Sequence, residues 1–354
     1  MAMAVTLDER QHKLSHWVAA QLKLDAKTIG LTAIASDAGF RRYFRFNRFD
    51  SPSKWLAVDA PPQTEDSRQF VSLARFLSRH GVNTPTIFSA DETQGFLLVE
   101  DFGDELLYRR LTPGNAADYY RQTFTNLLNL QQCPNDPALI LLYDRALLRR
   151  ELDIFGEWFV GALLDYTLDP AESALLDKLF NHLEASALEQ PQCLVHRDFH
   201  SRNLIVRPDG TLGVIDFQGA LWGGCTYDLV SLLRDCYLRW PATQVKALAL
   251  EYRRAAIATG VLDAEVSEEH YLRWFDWLGL QRHIKVLGIF ARLNLRDHKS
   301  HYLNDLPLVI RYTLEVAECY PELQSFAHWF RKKLLPLIEQ QSWYSDYRTA
   351  GGAA

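Results

Sequence analysis

The sequence predicts an α+β fold in two lobes: a small β-rich lobe over residues 1–100 and a larger, mainly helical lobe over residues 101–354. Three observations carry that expectation. At 354 residues the chain exceeds what one hydrophobic core usually serves. Apolar spacing alternates between helical and extended periods as far as about residue 100, then is helical for most of the remainder. One later island, residues 203–216, returns to an extended pattern around a turn.

Taken in order, Leu7, Leu14, Trp17, Val18 and Leu22 recur at helical spacing and predict an amphipathic helix over residues 6–24. Tyr43-Phe44-Arg45-Phe46 and Trp55-Leu56-Ala57-Val58 read as strands, separated by turn-forming residues 47–52. Phe70, Leu73, Ala74, Phe76 and Leu77 predict a helix over residues 66–80 that stops at Gly81. Two more strands follow, at Thr86-Ile87-Phe88 and Phe96-Leu97-Leu98-Val99. Beyond Glu100-Asp101-Phe102-Gly103 the pattern is helical except for the island. There Asn203-Leu204-Ile205-Val206 and Thr211-Leu212-Gly213-Val214-Ile215-Asp216 flank Arg207-Pro208-Asp209-Gly210, a hairpin signature.

Composition narrows the function classes. Hydrophobic residues make up 48% and charged residues 23%, as in ordinary folded proteins. A net charge of -6 argues against a broad nucleic-acid footprint. No apolar run reaches the ~18 residues of a membrane helix, and the first residues lack the basic start and apolar centre of a secretion signal. A cytoplasmic protein is expected, with no nucleic-acid, membrane or obligate protein partner. The five cysteines (Cys133, Cys193, Cys225, Cys236 and Cys319) are scattered, without a C-x-x-C pair, which suits idle thiols in a reducing compartment.

The densest polar cluster is Val195-His196-Arg197-Asp198-Phe199-His200-Ser201-Arg202-Asn203, followed by Asp216-Phe217-Gln218 at the end of the hairpin. Phosphoryl transfer to a hydroxyl needs a carboxylate to orient the acceptor and take its proton, and ligands for magnesium on the phosphates. Asp198, at a loop start, suits the first task. Asn203 and Asp216 suit the second, because magnesium takes hard oxygen ligands and keeps several waters. The joint pattern H-x-D-x-x-x-x-N, strand, turn, and a strand ending I-D-F is one that kinases use. ATP and Mg2+ are the expected cofactors.

Val195 to Gln218 resembles the catalytic and metal-binding segment of the aminoglycoside-phosphotransferase and choline-kinase family, relatives of the protein kinases. The resemblance implies a bilobal protein-kinase-like fold, with an N-terminal nucleotide-binding lobe and a C-terminal catalytic and acceptor-binding lobe. It also implies that Asp198 is the catalytic base, Asn203 and Asp216 the metal ligands, and His196 a brace for the loop. Asp228 would be the buried aspartate that hydrogen-bonds that loop. Its alternative is a plain helix N-cap.

A wider resemblance spans five ordered segments: Ser36 to Arg45, Asp59-Ala60-Pro61-Pro62, Asp198 to Gln218, Tyr227 to Asp235, and Gly279 to Leu293. Together they are similar to the bacterial anomeric kinases of N-acetylmuramate and N-acetylglucosamine. This implies a kinase of the sugar C1 hydroxyl in cell-wall recycling. The alternatives are a kinase of another small acceptor (an aminoglycoside, choline or another amino alcohol) or a nucleotide-binding pseudokinase.

The small lobe departs from the kinase pattern. Leu56-Ala57-Val58 is followed by Asp59 where a phosphate-binding lysine is expected, and residues 36–40 form no G-x-G-x-x-G loop. The expected substitutes are backbone N–H groups around Ser36, Asp37 and Gly39, with Arg41, Arg42 or Arg45. Gly219 follows Gln218 where the most similar kinases would carry aspartate. Residues 282–299 are basic, led by Arg282, His283 and Lys285, with Tyr271, Trp274, Phe275 and Trp277 upstream. They read either as a solvated helix face backed by core aromatics or as the seat of a carboxylate-bearing sugar on an aromatic wall.

Overall fold

The computed structural model describes residues 7–34, 40–48, 51–52 and 54–351. The chain forms two compact units: Met1–Arg109 with Arg202–Gln218, and Arg110–Ser201 with Gly219–Ala354. The fold is α+β, with the antiparallel sheet in the first unit and a mainly helical second unit.

In the first unit, helix α1 (Leu7–Leu22) occupies the span its spacing predicts. Its Leu14, Val18 and Leu22 bury against Phe44, Phe46, Ala57, Phe96 and Leu98. The sheet beneath comprises β1 (Thr32–Ile34), β2 (Arg42–Arg45), β3 (Trp55–Asp59), β4 (Ile87–Asp91) and β5 (Phe96–Glu100), in the order β1-β2-β3-β5-β4. Phe44 pairs with Ala57, and Ala57 with Leu98, so the apolar side chains line up on the face that α1 covers. Between β3 and β4 lies α2 (Ser67–Arg79). Its N-cap Asp66 accepts the Gln69 N–H at 2.9 Å, and past its end the Val82 N–H reaches back to the Leu77 carbonyl at 3.1 Å.

The hairpin of residues 204–214 forms with Leu204 opposite Val214. The sequence reading placed it in the larger lobe, whereas it packs within the first unit. Leu106 bridges to Ile205, the Val214 N–H donates to the Asn83 carbonyl at 2.8 Å, and the Asn83 side chain donates to the Leu212 carbonyl at 2.8 Å. Arg207 binds Glu100 at 2.6 Å and lies over the Phe102 ring at 4.5 Å. A lone two-stranded ribbon is marginal in water, so it needs such a partner.

The second unit is built on α3 (Arg145–Ile154), which runs on into a π-helical segment Phe155–Leu163, and on α4 (Pro170–Glu189), α5 (Tyr227–Leu233), α6 (Glu268–Leu295) and α7 (Leu306–Cys319). Its core surrounds α6, whose Trp277, Leu280, Ile284 and Leu287 pack among Phe155, Phe159, Val309, Ile310 and Phe330. A second strand pair, β6 (Gln192–Val195) antiparallel to β7 (Leu221–Gly224), breaks the helical run that the sequence reading interrupted only once. Four-residue strands are too short to show a period of their own. Among the described residues no helix is long and apolar enough to cross a membrane.

Candidate active site

Strand β6 delivers the loop that bears Asp198. Cys193, Leu194 and Val195 are buried, with Val195 opposite Leu221, so the chain leaves the sheet at His196 in a fixed direction. Arg197 then adopts φ 75°, a left-handed conformation unusual for a side chain other than glycine and costing about 1–3 kcal/mol. The surroundings impose it. Asp228, in the first turn of α5, accepts the His196 N–H at 2.6 Å and the Arg197 N–H at 2.9 Å. The carboxylate therefore serves the loop, and it lies inside the helix, not at its N-cap. Burial pushes the Asp228 carboxyl up to about 6, against the opposing pull of His196 and the two N–H donors.

The other end of the loop is held by a second buried carboxylate. Asp235 accepts the Ser201 N–H at 3.0 Å, the Ser201 hydroxyl and the Tyr237 N–H. His196 is fully buried, accepts the Asp198 N–H at Nδ1 over 3.3 Å, and meets the Phe199 ring edge-on at 5.8 Å. That acceptor role requires the tautomer with Nδ1 unprotonated.

A buried ionic network lies behind the loop. Glu151 accepts the Arg197 guanidinium, the Tyr143 hydroxyl and Lys285 Nζ, the last at 3.0 Å. Arg197 also donates to the Gly219 carbonyl at 3.2 Å, and Lys285 to the Tyr227 hydroxyl at 3.3 Å. Burial works against ionisation of Glu151, yet Lys285, Arg197 and Tyr143 hold its pKa below the ordinary value. Asp198 meets solvent at the loop tip, though protein crowds it. Lost hydration acts to raise its pKa, and the positive charges of Lys285 and Arg282 override this, keeping the carboxyl below its usual range.

In the first unit, Asn203 and Asp216 lie at the same end of the hairpin ladder, where the Ile215 N–H donates to the Asn203 carbonyl at 3.1 Å. Asp216 is exposed at φ 63°, and the Gln218 amide donates to its Oδ1 at 2.6 Å. Phe217 anchors this turn by stacking on Phe70 at 5.0 Å. The described residues contain no cluster of three or more His, Cys, Asp or Glu side chains. One carboxylate and one amide, both oxygen donors, fit a magnesium ion that takes its remaining ligands from phosphate and water.

Ser36, Asp37 and Gly39 lie outside the described residues. The three arginines proposed beside them each meet a carboxylate. Arg41 pairs with Glu65 at 3.0 Å and lies over Phe70, and Arg42 binds Asp59. Arg45 binds Asp101 at 2.6 Å and also Asp104. Asp59, found where a lysine was expected, is fully buried and anchors Arg10 as well as Arg42.

The basic stretch on α6 is no solvated face at its start. Arg282, His283 and Lys285 are buried, as are Tyr271, Trp274, Phe275 and Trp277. His283 turns away from the loop to the Arg234 carbonyl at 3.1 Å and stacks on Tyr312 at 4.9 Å. Burial pushes its pKa down to about 3, so it is neutral at ordinary pH. Sequence reasoning assigned no role to Glu151, Arg197 or Asp235. Asp235 lies inside the segment of resemblance Tyr227 to Asp235, which was a usable signal. Glu151 lies 46 residues from Arg197 in a plain amphipathic helix, which gave none.

The sequence profile of the phosphotransferase enzyme family matches residues 30–266. The N-acetylmuramate/N-acetylglucosamine kinase of Pseudomonas putida is 38% identical over 325 residues, covering 89% of this chain and 94% of its own. Its counterpart in Pseudomonas aeruginosa is 40% identical over 294 residues, covering 83% and 85%. Among solved structures, an ethanolamine kinase of Plasmodium vivax superposes with a TM-score of 0.65 over 90% of each chain, at 12% identity, a likeness of fold.

Proposed function

The chain belongs to the phosphotransferase enzyme family, and from that premise we propose that it transfers the γ-phosphoryl group of ATP, with magnesium, to a sugar hydroxyl. The acceptor proposed is the anomeric C1 hydroxyl of N-acetylmuramate or N-acetylglucosamine, the sugars named for the relatives, in a cytoplasmic route of cell-wall recycling. The observation that carries the reading is the loop of residues 196–201, pinned at one end by Asp228 and at the other by Asp235, with the ionised Asp198 between them.

Asp198 orients the acceptor hydroxyl and takes its proton as the new O–P bond forms and the bond to the ADP oxygen breaks. Because its carboxyl is held ionised, it is ready to accept that proton at neutral pH. His196 and Asp228 fix the backbone that aims it. Asn203 and Asp216 would hold magnesium, which when bound offsets charge on the phosphates.

The test is ADP release with ATP and magnesium on N-acetylmuramate, N-acetylglucosamine, choline and kanamycin, with Asp198→Asn as control. Turnover confined to the N-acetyl sugars and abolished in the variant is expected, with the phosphorylated carbon then read by NMR. Turnover of choline or kanamycin alone would replace the acceptor, and silence on all four with ATP bound would overturn the reading.

A further inference from the structure

Arg282 is a buried cation with no ion pair among the described residues, and the carboxylate its charge acts on is Asp198. It is 4% exposed, its Nε has no partner, and its one hydrogen bond among the described residues runs from Nη1 to Cys236 Sγ at 3.2 Å. Burial pushes the Cys236 thiol up, so this partner is neutral. One turn along α6, Lys285 by contrast has Glu151 at 3.0 Å. A guanidinium removed from water without a hydrogen-bonded anion is costly, and its unmatched N–H groups suit a carboxylate that arrives from outside.

Its position indicates which anion. Cys236 lies between Asp235, which grips Ser201, and Tyr237, whose ring meets the His200 ring edge-on at 5.5 Å. The His200 backbone N–H in turn donates to the Asp198 carbonyl at 3.0 Å, and its ring Nδ1 is buried without a partner among the described residues. Two unsatisfied nitrogen groups, Arg282 Nε and His200 Nδ1, are therefore fastened to the segment that ends in the phosphoryl-transfer carboxylate. N-acetylmuramate differs from N-acetylglucosamine by a lactyl group, whose carboxylate is the kind of anion a guanidinium fork binds. We infer that Arg282, with His200 beside it, seats the carboxylate of an acidic amino sugar and makes this site prefer N-acetylmuramate over its uncharged counterpart. The inference rests on the sugar-kinase reading above.

The experiment compares kcat/KM of the unaltered protein for N-acetylmuramate, the methyl ester of its lactyl group, and N-acetylglucosamine, and then repeats the set with Arg282→Met and Arg282→Lys. The acid is expected to exceed its ester by ~10-fold to ~100-fold, the range of one charged hydrogen bond. That ratio should collapse towards one in Arg282→Met and partly recover in Arg282→Lys. Equal turnover of acid and ester by the unaltered protein overturns the inference even if Arg282→Met fails to fold. So does an unchanged ratio accompanied by a raised KM for ATP, which would make Arg282 a ligand of phosphate. Turnover of neither sugar by the unaltered protein overturns the parent reading, and this one with it.

Discussion

In the proposed reaction Asp198 must meet two demands that ordinarily conflict, ionisation in a crowded setting and proximity to a polyanionic co-substrate. The cations of Lys285 and Arg282 reconcile them from within the second unit. Asp198→Asn keeps the shape and removes the proposed proton acceptor, so kcat should fall by ~10²- to ~10⁴-fold with ATP affinity retained, as read by steady-state kinetics and nucleotide titration. His283 gives a pH prediction. Its folded pKa of about 3 lies below the unfolded value near 6.5, so the unfolded chain binds a proton that the folded chain refuses. Stability contributed by the neutral ring is therefore present above pH 6.5 and lost as pH falls towards 3. Against His283→Gln, the unaltered protein should lose about 1.4 kcal/mol per pH unit below 6.5, measured by denaturant unfolding at a series of pH values. Parallel stability profiles for the two proteins would refute it.

At the scale of elements, the hairpin is held by close approach as much as by hydrogen bonds. A Cβ at Gly213 would lie 2.3 Å from the Phe102 ring, which is buried within the same unit. Gly213→Ala should destabilise the protein by ~1–3 kcal/mol, visible as a lower Tm, and Phe102→Leu in the same chain should restore part of the loss. Additive losses in the double variant would argue against the contact as the cause. A similar constraint acts on α6, where a Cβ at Gly288 would meet the Ile154 carbonyl at 2.6 Å. That glycine lets the long helix lie directly on the backbone where α3 gives way to the π-helical segment.

At the scale of the whole molecule, the chain passes between its two units three times, at residues 109–110, 201–202 and 218–219. The first unit is thus completed only by a hairpin that lies almost a hundred residues further on. Asn83, Glu100, Phe102 and Leu106 all take partners from it. A fragment of residues 1–109 is expected to show no cooperative thermal unfolding by circular dichroism. A sigmoidal melt would show instead that the five-stranded sheet and α1 suffice. The same connectivity puts Asn203 and Asp216 in one unit and Asp198 in the other.

The sequence by itself determined the class of fold and the strands and helices with a strong period, and it singled out Asp198, Asn203 and Asp216 as the candidate site. Each depends on neighbours in the chain: α1 on Leu14, Val18 and Leu22, the hairpin on its Pro-Asp-Gly turn, the site on one compact run of polar residues. Tertiary structure alone decided the rest. That Asp59 anchors two arginines, that Glu151 joins Arg197 to Lys285, and that α6 buries its first cations depends on residues tens to more than a hundred positions apart. The physical reason is that a charged side chain looks alike in sequence whether water or a distant partner solvates it. Only packing fixes which of these stabilises the charge.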